Sequence, residues 1–372
     1  MTYFDYNATA PARPEAVEAM TAAMSEAGNP SSMHAAGRRA RRLLDEARER
    51  IAGALGAQAR QVVFTSGATE ANNLVLRGFA AAHPGGTIAT TEIDHASILA
   101  TADALAGGGY RVVRLPVDSG ARPQALATIT DRRDVLLSTG LANGESGHVA
   151  DVDMLAAALP VGGWLHLDAA QALGKIPVRI DARIHFLTLS SHKLGGPHGI
   201  GALIVNTDAP ALAAQITGGP QERALRAGTE NVEGAVGMGV AVELATRERA
   251  REAERLRALR EKLWGALSMR LDRLLRISPQ DGLPNTLTVA VAGLGADVVV
   301  AALDLAGFAV SAGSACAAGA PEPSHVMRAF AIDEIYRDGV VRLSLGRLTT
   351  ADDVARLADA FGTVVARARE AA

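Results

Sequence analysis

The sequence holds a single cysteine, Cys316, among 372 residues. One thiol forms no internal disulfide and builds no thiolate zinc site by itself, so no metal centre is expected. A reducing compartment is the default for such a chain, and the expected location is the cytoplasm. Basic charge is not in excess either. A formal net charge of -3 and a pI near 6.3 exclude the strongly basic surface that nucleic acid or an anionic membrane calls for. The one basic run is Arg38, Arg39, Arg41 and Arg42. Ala40, Leu44, Ala47, Ile51 and Leu55 recur at helical spacing through and beyond it, which puts the arginines on the solvated face of an amphipathic helix. No apolar stretch approaches the ~20 residues of a membrane span, and the candidate from Asp297 to Val310 is interrupted by Asp304. The first residues have no basic start followed by an apolar core, so no signal peptide is expected. Neither GxxxxGK[ST] nor GxGxxG occurs, which removes the signatures of the common nucleotide sites. There are no internal repeats and no low-complexity linker.

What is present suits a large soluble core. The chain is 48% hydrophobic and 21% charged, long enough for two domains of ordinary size. Short β-rich runs alternate with helical patterns: Gln61 to Phe64, Thr87 to Thr90, Tyr110 to Leu115, Val135 to Ser138, Trp164 to Leu167, Phe186 to Leu189 and Gly201 to Val205. That alternation predicts an α/β domain with a mostly parallel sheet. A long charged helix follows from Ala241 to Leu275, with Leu244, Leu256, Leu259, Leu263, Leu267, Leu271 and Leu274 on its apolar side. Beyond it, strands at Thr286 to Val291, Phe308 to Ser311 and Val340 to Leu345, and helices from Asp297 and Ala351, predict a second, smaller α+β domain hinged on that helix.

In an open parallel sheet, ligands bind beyond the carboxyl ends of the strands, so the residues there are the first candidates. After QVVF, the turn TSGATEANNL contains Gly67 and opens a helix at Thr69 whose free N–H groups suit a phosphate, although many strand-to-helix turns look alike. After WLHL come Asp168 and Gln171. After FLTL come Ser190, Ser191, His192 and Lys193. An Asp and a Lys at two strand ends, with hydroxyl and imidazole donors beside the Lys, match the needs of pyridoxal phosphate. That cofactor takes a lysine for its aldehyde, an acid for its ring nitrogen and donors for its phosphate. His95, after TIAT, would stack on such a ring and relay protons; taken alone it reads as a surface or capping histidine. Cys316 lies in SAGSACAAGA, a run of small residues that suits an exposed or moving loop. On that stretch alone it reads as a chance surface cysteine.

Taken together, these segments resemble the pyridoxal-phosphate-dependent cysteine desulfurases, within the class V aminotransferase group. The resemblance runs from YFDYNATAP through NPSS, FTSGATEANNL, HLDAAQALGK, SSHKLGGPHGIG, RAGTEN, SAGSAC and EPSHV to VRLSLGR. It implies a fold-type I homodimer: a large α/β domain over residues 14–250 with a mostly parallel mixed sheet, and a smaller α+β domain from residues 1–13 and 251–372 that carries the nucleophile loop. By the same resemblance Lys193 holds the cofactor and Asp168 faces the pyridinium nitrogen. Gln171 reaches the ring hydroxyl, and His95 stacks on the ring. Ala68, Thr69, Ser190 and His192 hold the phosphate, with Thr229 joining from the other subunit. Asn143 is carried over toward cofactor and substrate, Arg342 toward the substrate carboxylate, and Cys316 as nucleophile. The implied reaction turns L-cysteine into alanine and leaves a persulfide on Cys316, for an iron–sulfur scaffold or another sulfur acceptor. Rival readings are a class V aminotransferase, a selenocysteine lyase, or a weakly active sulfur carrier. The chain departs from the family pattern at Gly144, where a second asparagine is usual, and at Gly195 and His198.

Overall fold

The computed structural model describes residues 1–26, 28–130, 132–313 and 324–371; Cys316 lies outside the described residues. Among the described residues, twelve strands form three sheets: β1 (Thr2–Tyr3), β2 (Val62–Thr65), β3 (Thr87–Thr91), β4 (Arg111–Leu115), β5 (Val135–Gly140), β6 (Trp164–Asp168), β7 (Phe186–Ser190), β8 (Gly201–Val205), β9 (Leu274–Arg276), β10 (Thr286–Val291), β11 (Phe308–Ala309) and β12 (Val340–Ser344). The large sheet has seven strands in the order β2-β8-β7-β6-β5-β3-β4. Its pairings are parallel except where β8 runs against β2 and β7. This is the α/β architecture with a mostly parallel mixed sheet that the alternation predicts.

Both faces of the sheet are covered, because side chains alternate along each strand. Val135 and Leu137 of β5 join one core, with Ala16 of helix α1 (Pro14–Met24), Leu44, Ile51 and Leu55 of helix α2 (Ala35–Leu55) and Met238 and Val242 of the helix Val232–Arg270. Leu136, between them, joins the opposite core, with Leu74, Val75 and Phe79 of helix α3 (Ala68–Ala82) and Ile98 of helix α4 (Ala96–Gly107). Each such side chain taken out of water stabilises the fold by roughly 1.5–3 kcal/mol. Helix α2 is capped by His34, whose Nδ1 accepts from Gly37 N at 3.2 Å, and it ends at Gly56 in the left-handed conformation. Arg38, Arg39, Arg41 and Arg42 are exposed on it, as its apolar spacing requires.

The second sheet is antiparallel, in the order β12-β10-β9. Its core joins Leu287 and Val289 to Leu263 and Leu267 of the 39-residue helix Val232–Arg270 and to Phe361 of the closing helix. The long helix starts earlier than its leucine pattern suggests and stops before Leu274, which belongs to β9. Leu271 already has extended backbone and Arg273 has φ 56°, so the helical ladder is broken there. Pairing of β9 with β10 satisfies the backbone groups that the helix gives up.

The first thirteen residues run between the two sheets and tie them together. Asp5 bridges Ser344, Ala10 N donates to His192 O at 3.0 Å, and Arg13 pairs with Glu248 at 2.9 Å.

Candidate active site

Because most strands of the large sheet run one way, their carboxyl ends open on one edge. There β6 ends at Asp168, and β7 ends at Ser190 before the turn His192–Leu194 that carries Lys193. β2 feeds helix α3, and β3 feeds Asp94 and His95, the latter capping α4. A cavity of about 1030 Å³ collects these ends and reaches Arg342 of β12. Ala68, Thr69, His95, Asn143, Asp168, Gln171, Ser190, His192, Lys193 and Arg342 all line it. Thr229 does not; it is exposed on the loop before the long helix.

Asp168 is buried and held on both oxygens. Asn72 Nδ2 donates to its Oδ2 at 2.7 Å, and Ala170 N donates to its Oδ1 at 2.9 Å. Asn72 also donates to Ser97 Oγ at 2.9 Å, which lies 2.8 Å from His95 Nδ1. Since Ser97 N donates to the same Nδ1 at 3.1 Å, the neutral ring carries its proton on Nε2. Burial lowers the His95 pKa, and the Asp168 charge works against that shift. Asp94, next in chain, is buried and accepts from Thr91 N, Thr139 Oγ1 and Gly140 N at 2.7–2.8 Å, which fixes the loop that presents His95.

At the other end, helix α3 points its N-terminus into the cavity, where unpaired N–H groups and the helix dipole favour an anion. His192 Nδ1 lies 3.1 Å from Thr9 Oγ1, which lies 3.1 Å from His198 Nε2, and the two imidazoles stack at 5.1 Å. Burial first, then the charges of Lys193 and His198, lowers the His192 pKa to about 4, so it faces the cavity neutral.

Lys193 Nζ donates to the backbone oxygen of Asn7 at 3.1 Å. Asn7 is buried and is a hub: its Nδ2 donates to Gly144 O and Thr286 Oγ1, and its oxygens also receive Gln171 Nε2, Lys175 Nζ and Asn285 Nδ2. Arg342 is held by Asp5 at 2.6 Å and by Gly144 O at 3.3 Å, while its buried Nε has no hydrogen-bond partner among the described residues. Ser311, which opens the segment leading to Cys316, exchanges two backbone hydrogen bonds with Arg342, at 2.8 and 3.2 Å. Asn143 commits its Oδ1 to Glu145 N, Ser146 N and Ser146 Oγ, and one N–H to Ile93 O. His325 lines the cavity with Nε2 2.9 Å from Asp94 O, and it joins Asn7, Asn72, Asp94 and Lys175 as a site residue to which sequence reasoning assigned no role. Asn7, Asn72, Lys175 and His325 do sit inside quoted motifs, and that was the available signal.

Residues 2–357 match the family model of the class-V aminotransferases. Among the relatives, the cysteine desulfurase IscS of Dictyoglomus turgidum is 37% identical over 375 residues, covering 99% of this chain and 95% of its own. A cysteine desulfurase of Cereibacter sphaeroides is 40% identical, covering 99% and 96%. Among solved structures, a NifS-like protein superimposes with TM-score 0.91 at 31% identity, covering 98% and 99%, and SspA in complex with cysteine with 0.79 at 30%, covering 93% and 99%. The chain belongs to the class-V aminotransferase family, and its fold is pyridoxal-phosphate fold type I.

Pyridoxal phosphate is the cofactor of this family and of this chain. The residues present fit it: an amine, a doubly hydrogen-bonded carboxylate, and a helix N-terminus with two imidazoles beside it share one cavity.

Proposed function

We propose that this protein is a pyridoxal-phosphate-dependent cysteine desulfurase whose sulfur acceptor is Cys316. Support comes from one observation above all: Lys193, Asp168, His95 and a buried Arg342 with an unpartnered Nε line one cavity, and the segment leading to the only thiol is paired to Arg342. When bound, the cofactor supplies an electron sink for the substrate's α-carbon. Lys193 would hold the cofactor's aldehyde carbon before substrate binds and, once freed from it, would move the α-proton at its Nζ. Asp168 faces the ring nitrogen as a carboxylate, and the N-terminus of α3 with Ser190 and His192 holds the phosphate. His95 would stack on the ring with its proton on Nε2. Arg342 takes the substrate carboxylate, its guanidinium oriented by Asp5.

The thiolate of Cys316 attacks the sulfur of L-cysteine. An S–S bond forms as the substrate's Cβ–S bond breaks, one of the two thiol protons completes the methyl group of alanine, and the other stays with the persulfide. The net exchange needs no outside oxidant, because the β-carbon keeps the electron pair of the broken Cβ–S bond while the sulfur becomes the sulfane sulfur of a persulfide on Cys316. Its destination is an iron–sulfur scaffold or another acceptor, and the working form is a homodimer with Thr229 reaching the neighbour's phosphate.

The test is to incubate the purified protein with L-cysteine and measure alanine and sulfide. Cys316→Ala is expected to retain the cofactor's visible absorbance and release little or no alanine. Alanine formed by Cys316→Ala at the wild-type rate would replace the persulfide route with a direct lyase or aminotransferase chemistry.

A further inference from the structure

Behind the cavity wall one amine is buried without an ion pair among the described residues. Lys175 Nζ donates to Gln171 Oε1 at 2.7 Å and to Asn7 Oδ1 at 3.0 Å. Burial, with the charges of Lys193 and Arg342 in support, lowers its pKa well below that of an ordinary lysine. As an amine or as an ammonium it keeps at least two N–H donors, and both face amide oxygens.

An amide held by its oxygen has its nitrogen turned the other way. With Oε1 on Lys175, Gln171 presents Nε2 toward the cavity side. One N–H goes to Asn7 O at 2.9 Å, the same carbonyl that receives Lys193 Nζ, and the second is left for a group in the cavity. The departure at residue 144 contributes to this placement. A Cβ on Gly144 would stand 2.6 Å from Gln171 Nε2, so glycine leaves open the volume that the glutamine fills.

We infer that Lys175 is a positioning residue: it turns the Gln171 amide so that an N–H, and not the carbonyl, meets the oxygen on the cofactor ring. That oxygen is then held as an acceptor, which favours its ionised form. Without Lys175 only the Asn7 carbonyl holds the sense of the amide, and in the flipped orientation the amide carbonyl would face the ring oxygen and repel it. The inference rests on Gln171 as partner of the ring oxygen, as the family resemblance implies.

The experiment loads the full-length protein in turn with pyridoxal phosphate and with its 3-deoxy analogue, which lacks the ring oxygen, and measures the apparent affinity of each by absorbance. Wild type is expected to prefer pyridoxal phosphate by about tenfold, the worth of one hydrogen bond to a charged group. Lys175→Met should lower that preference at least roughly threefold and leave affinity for the analogue unchanged. Gln171→Ala should abolish the preference, and adding Lys175→Met to it should change nothing more, which a merely structural lysine would not do. Lys175→Met with the wild-type preference, beside a Gln171→Ala that loses it, overturns the role of Lys175 and leaves Gln171 in place. Gln171→Ala that keeps the preference removes Gln171 as the partner, and the inference falls with it. Where Lys175→Met does not fold, the same measurement on Lys175→Gln decides by the same two outcomes.

Discussion

Asp168 shows how a strand-end carboxylate becomes a specific partner. With Asn72 on one oxygen and its own chain on the other, it is aimed and kept from rotating. Asp168→Asn keeps the volume and removes the charge that would hold the ring nitrogen protonated. The variant is expected to retain the cofactor, read by visible absorbance, while alanine production falls roughly 100-fold or more. Near-normal turnover would reduce Asp168 to a structural role. Neighbouring His95 depends on the same network, because Asn72 and Ser97 decide which of its nitrogens carries the proton.

Two elements carry predictions that concern stability. On β6, His166 is fully buried between Ser138 Oγ at 2.8 Å and Thr188 Oγ1 at 2.9 Å, and burial lowers its pKa from 6.5 to about 4. A depressed pKa means that the unfolded chain takes up the proton first. The contribution of this neutral histidine is therefore full above the unfolded value and is lost as pH falls toward the folded one. Between about pH 7 and about pH 5 the loss should be roughly 2 kcal/mol, and His166→Asn should flatten that slope in urea melts. On the helix Val232–Arg270, Arg260 is buried, donates Nη1 to Leu283 O at 2.6 Å and Nη2 to Gln280 O, and touches Glu261 at 2.8 Å. Leu283 N in turn donates to Gly147 O at 2.7 Å, in the loop that holds Asn143 and Gly144. Arg260→Met strands the carbonyl of buried Leu283 and should destabilise the protein by about 2 kcal/mol, seen as a lower urea midpoint with unchanged slope.

Across the whole molecule, the cavity collects chemistry from both ends of the chain, from Asn7 to Arg342. Thr229 alone among the expected phosphate ligands lies outside it, which suits service to a neighbouring subunit. Sedimentation at working concentration should therefore give a dimer. Co-expressed Thr229→Ala and Lys193→Ala chains should form mixed dimers with one complete site each, so alanine production should exceed that of either variant alone. A fully active monomer, or no recovery in mixed dimers, would contradict service across subunits.

The β-rich runs foretold β2 to β8 within a residue or two, because most of these strands are buried on both faces and carry no charge; only the edge strand β4 exposes arginines. Strand-end positions then followed from the direction of the sheet, and Asp168 and Lys193 were legible as a pair for that reason. Strand β1, two residues long, was too short to carry any pattern, β11 is shorter than the run Phe308 to Ser311 that foretold it, and Leu274 kept a helical spacing that its pairing with β10 overrode. Asn7 and Lys175 carried no periodic or strand-end signal. Their roles arise from partners far along the chain, 164 residues between Asn7 and Gln171 and 168 between Asn7 and Lys175. Local order is written in side-chain spacing, and so is the kind of chemistry at each strand end. Which way a buried amide faces depends on donors that only the packed chain brings within hydrogen-bond reach, because an amide presents a donor and an acceptor of nearly equal shape.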